Sequence, residues 1–446
     1  MRTLLLLLCM LQPVPALAQA AAPVPLSDFF ALAGGDDRRA VTAATHIAER
    51  WRAAYATMLL ELVVLAPSAT QARILELLRR GSGQRFGAEL DRWYEWIWRM
   101  DPGTHPDYSE FKATLYEAID PRFRAYFDEA PKTAIRLDEI RWGGVRRDGI
   151  PPLDHPKLLP AGEAAYLGDG DVVFGIEWKG DVRAYPKRIM AWHEMVRDRI
   201  GGEELNGVYC TLCGSMIFYR ATVQGTHHVL GTSGFLYRSN KLMYDRATES
   251  LWSTLTGTPV VGPLVGRGIE LEPLFVVTTT WGEWRKLHPD TRVLSLDTGH
   301  QRDYGEGVAY RDYFATDRLM FGVPRLDDRL PNKAEILALR VPGSAREPLA
   351  ISAGFLRRRP VYQDRIGRVE FVVLTDGSGA NRVYASGGRR FVSWGGTTAV
   401  DADGARWTVS EAALTRSDGT RLARLPAHRA FWFGWYAAYP DTRLVK

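Results

Sequence analysis

Val208-Tyr209-Cys210-Thr211-Leu212-Cys213-Gly214-Ser215-Met216-Ile217-Phe218-Tyr219 is the stretch from which the fold of this chain is best predicted. Its two ends carry the apolar and aromatic residues typical of strands, and Cys-x-x-Cys-Gly forms the turn between them. In thioredoxin-type proteins the same motif opens a helix, whose N-terminus lowers the pKa of the thiol. A strand directly after Gly214 therefore argues against a thioredoxin fold.

This turn also predicts a metal site. Between two strands, Cys-x-x-Cys-Gly has the form of the zinc-ribbon or rubredoxin knuckle, in which a glycine with positive φ lets the chain wrap around a metal. The sequence has only 3 cysteines, so a site of four cysteines within one chain is excluded. We expect Cys210 and Cys213 to bind copper or zinc, with His193 or His300 completing the coordination.

A polar cluster accompanies His300. Arg302, Asp303 and Tyr304 follow it in a loop bounded by glycines, and polar density in such a loop is a site signal. We expect Asn240, Arg302 and Asp303 to orient the metal ligands or neutralise their charge.

Two other interpretations of the cysteine turn stay open. In one, the chain is a periplasmic thiol–disulfide oxidoreductase in which one cysteine attacks and the other resolves, so one thiol should alkylate quickly at neutral pH. In the other, the knuckle is structural and the chain is a non-catalytic interaction module of the cell envelope. The sequence does not decide whether the chain is an enzyme.

The first residues predict export. Met1-Arg2-Thr3 supplies a positive start, Leu4 to Leu11 an apolar core, and Ala16-Leu17-Ala18 a cleavage site, so we expect residues 1–18 to be a signal peptide. Its removal takes Cys9 away and leaves a periplasmic or secreted protein. No later apolar stretch reaches the roughly twenty residues needed to cross a bilayer, so we expect no transmembrane segment after processing.

Charge and motifs disfavour nucleic acid and nucleotide ligands. A net charge of +5 is small for 446 residues, and the basic residues are spread along the chain. Nucleic-acid binding needs a concentrated basic face. Neither a Walker loop nor a dinucleotide fingerprint is present in the sequence, so no nucleotide cofactor is expected.

The chain is predicted to be α+β, with a helical N-terminal domain over residues 26–135 and two β-rich domains over 150–325 and 330–446. Trp281 to Arg292 matches Trp432 to Arg443, and Asp198 to Gly201 matches Asp364 to Gly367. We interpret these matches as a tandem duplication whose second copy is degenerate, since it has no cysteine. The helical domain is a candidate docking surface for an envelope protein.

The first β-rich region, about residues 150–330, resembles domain-of-unknown-function family 3179, a family of exported bacterial and archaeal proteins. The resemblance rests on successive motifs: Ala184-Tyr185-Pro186, Trp192-His193-Glu194, Tyr209-Cys210-Thr211-Leu212-Cys213-Gly214, Gly231 to Asn240, Leu242 to Arg246, Ser250 to Ser253, Gly257 and Trp281. The family usually has proline where this chain has Thr211.

This resemblance implies an exported or surface protein but no reaction, because none is established for the family. It also implies a set of site positions: Cys210, Cys213, His193, Ser233, Ser239, Asn240 and Asp245.

Overall fold

The structure is a computed structural model that describes residues 22–128, 130–340 and 347–446. The expected signal peptide and its cleavage site lie outside the described residues. Helices predominate in the N-terminal part of the described chain and strands from residue 140 onward, which confirms the α+β class. None of the helices within these three ranges is long and apolar enough to cross a membrane.

The chain divides into two compact units, Met1–Arg85 and Phe86–Lys446. The described part of the first unit is helical, with helices at Leu26–Ala33, Asp37–Glu49, Tyr55–Leu65 and Ser68–Ser82. Tyr55–Leu65 is the central helix, because every residue from Tyr55 to Val63 is buried. Asp36 caps the second helix by accepting hydrogen bonds from the amides of Arg38 and Arg39.

The second unit begins with helices that pack against its own strands. Their bounds are Leu90–Met100, Tyr108–Glu117 and Arg124–Phe127, with a short 3-10 turn at Pro121–Phe123. Phe235 packs edge-on against the rings of Tyr116 and Phe123, at centroid distances of 4.9 and 4.8 Å. The apolar faces of these helices therefore contribute to the core of the β-rich unit.

Two core sheets follow, and four strands have the same order and directions in both. The first runs Val277–Thr280, Val172–Trp178, Asp181–Pro186, Arg292–Leu294 and Leu158–Pro160. The second runs Ala427–Phe431, Glu335–Leu339, Leu349–Ser352 and Arg443–Val445. In each sheet the first three strands are antiparallel and the fourth joins the third in parallel. The helices Trp281–Leu287 and Trp432–Ala438 follow the first strand of their sheets.

An antiparallel meander follows the paired central strands of each core sheet. The first meander consists of Met195–Ile200, Glu203–Cys210 and Ser215–Arg220, to which Pro273–Leu274 and Leu153–Asp154 add as edges. The second consists of Val361–Ile366, Val369–Thr375 and Asn381–Ala385. Short helices, Lys187–His193 and Ala353–Arg358, connect the core sheets to these meanders.

A further sheet completes each half of the β-rich region, where a half means one core sheet with the meander that follows it. The first half has Ile140–Trp142, Leu230–Tyr237, Asn240–Asp245, Leu251–Ser253 and Pro259–Val261, besides a small hairpin of Thr222–Val223 and Thr226–His227. The second half has Phe391–Gly395, Thr398–Asp401, Arg406–Val409, Ala413–Arg416 and Arg421–Ala423. The helix Arg311–Phe314 lies in the connection between the halves.

The repeated Trp-x-x-Trp…Thr pattern has the same structural role in both halves. The Nε1 atom of Trp284 donates to Oγ1 of Thr291 at 3.0 Å, and Nε1 of Trp435 donates to Oγ1 of Thr442 at 2.9 Å. All four side chains are buried. In each half, this hydrogen bond therefore connects the tryptophan-containing helix to the residue that precedes the next strand.

Candidate functional site

The cysteine motif lies at the tip of a regular hairpin, which we call the Cys hairpin (residues 203–220). Its strands pair from Leu205 with Arg220 to Cys210 with Ser215. The amide of Cys213 donates to the carbonyl of Cys210 at 3.1 Å and closes the turn. The expected order of strand, turn and strand is confirmed.

Gly214 has the backbone conformation that the turn requires. Its φ is +60°, in the left-handed region, and a Cβ atom there would lie 2.9 Å from the Phe431 ring. Only glycine fits this position without strain or displacement of the ring.

The two thiols are free, and each residue is 1% exposed. The Sγ of Cys213 donates its hydrogen to the carbonyl oxygen of Ser239 at 3.3 Å. Cys213 is thus a hydrogen-bond donor to the backbone.

The surroundings of the two thiols shift their pKa values in opposite directions. Burial acts to raise the pKa of Cys210, but the polar interactions with Cys213 and with the backbone of Lys241 outweigh it and lower that pKa. Burial raises the pKa of Cys213 well above its ordinary value, and the neighbouring Cys210 sulfur raises it further. The pair therefore holds its first negative charge on Cys210.

A buried ion pair lies beside the sulfurs. Nζ of Lys241 is 3.2 Å from Oε2 of Glu194, and the two residues are 5% and 7% exposed. The hydroxyl of Tyr310 donates to Oε1 of Glu194 at 3.2 Å. Burial lowers the pKa of Lys241, whereas Glu194 and Cys210 act to raise it. A carboxylate and an ammonium group thus share one water-poor environment with the thiols.

Local structure explains the positions of both charges. Glu194 follows the helix Lys187–His193 in a left-handed conformation with φ of 56°, which turns the chain into the next strand. Lys241 pairs with Leu236 immediately after a bulge in the strand Leu230–Tyr237. Such a bulge can redirect the side chains that follow it.

One pocket is lined by Glu194, Cys210, Lys241 and Tyr310, and we call it the thiol pocket. The rest of its wall is mainly apolar: Val145, Ile150, Leu212, Phe235, Leu236, Met320 and Phe321, with Thr211 and Thr232 as further polar residues. Oγ1 of Thr211 is buried and has no hydrogen-bond partner among the described residues. An apolar pocket with a few convergent polar groups is typical of a small-molecule site.

The histidines expected to complete a metal site lie elsewhere. Nδ1 of His193 is 2.9 Å from the carbonyl oxygen of Pro151, and its Nε2 is 2.6 Å from the hydroxyl of Tyr304. The exposed His300 ring packs against His193 at a centroid distance of 5.2 Å. Burial lowers the pKa of His193 to about 4. This cluster does not line the thiol pocket.

The remaining residues of that loop are exposed and bond locally. Nη1 of Arg302 donates to the carbonyl of Gln301, and the Asp303 carboxylate accepts from the amide of Gly305. Within the described residues, no group of three or more His, Cys, Asp or Glu side chains is placed to hold a metal ion. The two sulfurs are therefore not joined there by His193 or His300.

The other expected site residues divide into two groups. Ser239 supplies the carbonyl oxygen next to Cys213, and Asn240 precedes Lys241 and donates to the carbonyl of Gly434 at 3.3 Å. Ser233 fixes the bulge, because its Oγ donates to the carbonyl of Leu242 at 2.6 Å.

Asp245 is a turn residue. Its Oδ1 accepts from the amides of Ala247 and Thr248, and its Oδ2 is 2.5 Å from Nδ1 of His228. It does not line the thiol pocket.

Sequence reasoning missed Glu194, Lys241 and Tyr310. Two of them had a signal: Glu194 directly follows His193, and Lys241 stands between Asn240 and the strand residues Leu242 to Tyr244. Charged residues beside buried strands must be paired or exposed, so such a lysine predicts a nearby carboxylate. Tyr310 has no comparable signal, because only the tertiary fold brings its loop to the pocket.

The fold and this site define an α+β protein with a buried dithiol and an adjacent ion pair at the edge of a small pocket. The chain belongs to the family described as protein of unknown function (DUF3179), whose model matches residues 147–442. The match extends beyond the first β-rich region and includes nearly all of the second half. No curated protein and no solved structure matches the chain.

Proposed function

We propose that the chain is a thiol–disulfide oxidoreductase of the cell envelope, in which Cys210 attacks and Cys213 resolves. The observation that carries the proposal is the asymmetry of the two sulfurs: Cys210 lines a pocket, whereas Cys213 does not line it and donates its S–H to the carbonyl oxygen of Ser239. The surroundings also lower the pKa of Cys210, and the thiolate is the nucleophile of thiol–disulfide exchange.

The reaction balances within the dithiol. The Cys210 thiolate attacks a substrate disulfide, forms a mixed disulfide and releases the first substrate thiolate, which takes the proton of Cys213. The sulfur of Cys213 then attacks that of Cys210, forms the Cys210–Cys213 disulfide and releases the second substrate thiolate. The substrate gains two electrons, the protein loses two, and an external dithiol reductant restores the protein.

Lys241 supports the charge on Cys210, whereas the Glu194 carboxylate opposes it. The ammonium group favours a nearby thiolate, and Glu194 compensates the lysine while the thiol is protonated. Since Cys210 is 1% exposed and is reached through the thiol pocket, the proposed substrate is a small disulfide rather than one within a folded protein.

A purely structural role for the cysteines is less well supported. The corresponding hairpin of the second half closes its turn without sulfur: Oδ1 of Asp376 accepts from the amides of Ser378 and Ala380, each at 3.0 Å. The amide of Gly379 also donates to the carbonyl of Asp376 at 2.9 Å, as Cys213 does to Cys210. This turn can therefore form without two cysteines.

The test is to trap the mixed disulfide. Cys213→Ser and Cys210→Ser are each incubated with bis(2-hydroxyethyl) disulfide at neutral pH and their intact masses measured. We expect Cys213→Ser to accumulate the adduct on Cys210 and Cys210→Ser to stay unmodified. Equal, slow modification of both variants would contradict the proposal.

Binding of copper or zinc by Cys210 and Cys213 is a second proposal, supported by two adjacent soft sulfur donors. Zinc prefers four ligands, and the described residues do not add a third donor. Two thiolates alone suit Cu(I) better. Metal analysis of the purified chain and of Cys210→Ser tests this, because bound metal should disappear in the variant.

Two wider proposals concern origin and location. We infer that the two halves arose by duplication. Two observations support this: four strands of the core sheets share their order and directions, and the pair Trp284–Thr291 is repeated as Trp435–Thr442. Export to the periplasm, with an envelope partner bound by the helical N-terminal region, is tested by cell fractionation and by crosslinking of the fractionated protein.

A further inference from the structure

A second pocket adjoins the Cys hairpin. Tyr209 and Gly214 of the hairpin are among the residues that line it. Neighbouring strand residues face opposite sides, so Tyr209 and Cys210 turn toward different pockets. The wall opposite comes from the second half, through Ser378 and Gly379 of the matching turn. This pocket is therefore separate from the thiol pocket.

Its charges are unbalanced. Lys187, Arg357 and Arg429 line it, and Glu335 is the carboxylate among its lining residues, so we call it the basic pocket. Glu335 forms an ion pair with Arg429. Among the described residues, neither Lys187 nor Arg357 forms an ion pair with a carboxylate. Within the described part of the chain, these two cations thus lack a direct carboxylate partner.

Arg429 is positioned by the protein but not fully satisfied. It is 8% exposed, and its Nη1 donates to the carbonyl of Gly379 at 3.2 Å and to Oδ1 of Asn381 at 2.8 Å. Its Nε is buried without a hydrogen-bond partner among the described residues. Unsatisfied buried cationic groups are costly unless something pairs with them.

The pKa of Glu335 reports the positive charges around it. Burial lowers the pKa of Lys187, and the attraction of Glu335 and Glu306 does not offset it. Burial acts to raise the pKa of Glu335, but Arg429, Lys187 and Arg357 outweigh it and keep that pKa below its ordinary value. Glu335 is already ionised, so it has no further negative charge to supply.

The walls also suit a ligand with a polar end and an apolar body. Thr278, Thr280 and Ser378 supply hydroxyl groups, while Phe174 and Phe431 supply apolar surface. Arg357 lies at the turn, because a Cβ atom on Gly379 would come within 2.8 Å of its Nε. We propose that the basic pocket binds a small molecule that carries a phosphate or carboxylate group, with Lys187 and Arg357 as its counter-charges.

Calorimetric titration of the full chain with inorganic phosphate and, separately, with succinate tests the proposal and distinguishes the two oxyanions. We expect saturable binding of at least one. Removing one charge-assisted contact in Lys187→Met or Arg357→Met should weaken it about tenfold or more. Arg358→Met is the matched control, because Arg358 is exposed on the same helix and does not line the pocket.

Two results would overturn the proposal: no saturable binding of either anion, or unchanged affinity in both pocket variants. Circular dichroism checks the fold of each variant. If one of the two pocket variants fails to fold, the other still tests the proposal. Binding should persist in Cys210→Ser, so this outcome does not depend on the thiol chemistry proposed above.

Discussion

Cys210 and Cys213 have the same side chain and the same burial, yet they differ in hydrogen bonding. Cys213 donates its S–H to the carbonyl oxygen of Ser239, whereas Cys210 lines the thiol pocket and has a lowered pKa. Donors stabilise a thiolate and carbonyl acceptors do not. The polarity of the pair is therefore built into the backbone of the turn and of the neighbouring strand.

This polarity predicts a pH profile for alkylation. Only the thiolate reacts, so a lowered pKa makes Cys210 reactive at a lower pH than a free cysteine, whose pKa is about 8.5. In the wild-type chain, iodoacetamide should modify Cys210 before Cys213, with a midpoint below that value. Peptide mass spectrometry across pH checks this. A midpoint at or above the value for free cysteine would contradict the assignment.

Lys241 gives a second prediction at this scale. Lys241→Met should destabilise the chain by about 3 to 5 kcal/mol, because it leaves the Glu194 carboxylate buried without its partner. Urea denaturation measures the change in the free energy of unfolding.

The matched control for Lys241→Met is Lys179→Met, which removes an exposed pair with Glu203 and should change stability by less than about 1 kcal/mol. If the two variants lose similar stability, the ion pair of Lys241 is not buried as described.

At the scale of elements, alternation and turn residues predicted the Cys hairpin. The strands on either side of Cys210 and Cys213 are local features, because each is recognised from adjacent residues. The charged neighbours of the sulfurs are not local in sequence. Glu194 directly precedes the strand that pairs with the Cys hairpin, and Lys241 lies on another strand beside a bulge. A pattern of residue types does not specify such a register.

His193 illustrates the same limit. Its position near the Cys hairpin in the chain made it a natural candidate ligand, but its ring contacts Pro151 and Tyr304. Which way a side chain points at the end of a short helix depends on the final turn, and Glu194 takes a left-handed conformation there. The candidate pair of sulfurs could thus be predicted from sequence, and its surroundings could not.

Gly214 tests the geometry of the hairpin. Gly214→Ala and Gly225→Ala both place alanine at positive φ, at +60° and +77°, which costs about 1 to 2 kcal/mol. The Cβ at 214 would in addition meet the Phe431 ring, whereas that at 225 meets nothing within 4 Å. We expect Gly214→Ala to lose more stability in denaturant titrations. Equal losses would show that the ring does not constrain the turn.

At the scale of the whole molecule, the two halves share a framework but differ in their special residues. The core sheets and the Trp–Thr bonds occur in both, whereas the cysteines and the Glu194–Lys241 pair belong to the first half. The family match over residues 147–442 includes both halves. The second half also supplies part of the wall of the basic pocket, so it contributes to a candidate ligand site as well as to the stability of the chain.

The shared framework predicts equal effects of equivalent changes. Thr291→Val and Thr442→Val each remove the acceptor of a buried tryptophan Nε1, so each should destabilise the chain by about 1 to 3 kcal/mol. Thermal or chemical unfolding followed by tryptophan fluorescence measures both. A large effect of one variant and none of the other would contradict the equivalence.

The central claim is that Cys210 and Cys213 act as one redox pair, and a redox titration of the full chain tests it most directly. The protein is equilibrated in buffers of increasing ratio of oxidised to reduced glutathione, quenched in acid, and its intact mass and free thiols are measured. We predict that both thiols disappear together in one two-electron transition that yields a Cys210–Cys213 disulfide. Two thiols that remain free throughout, or that carry glutathione independently, would contradict it.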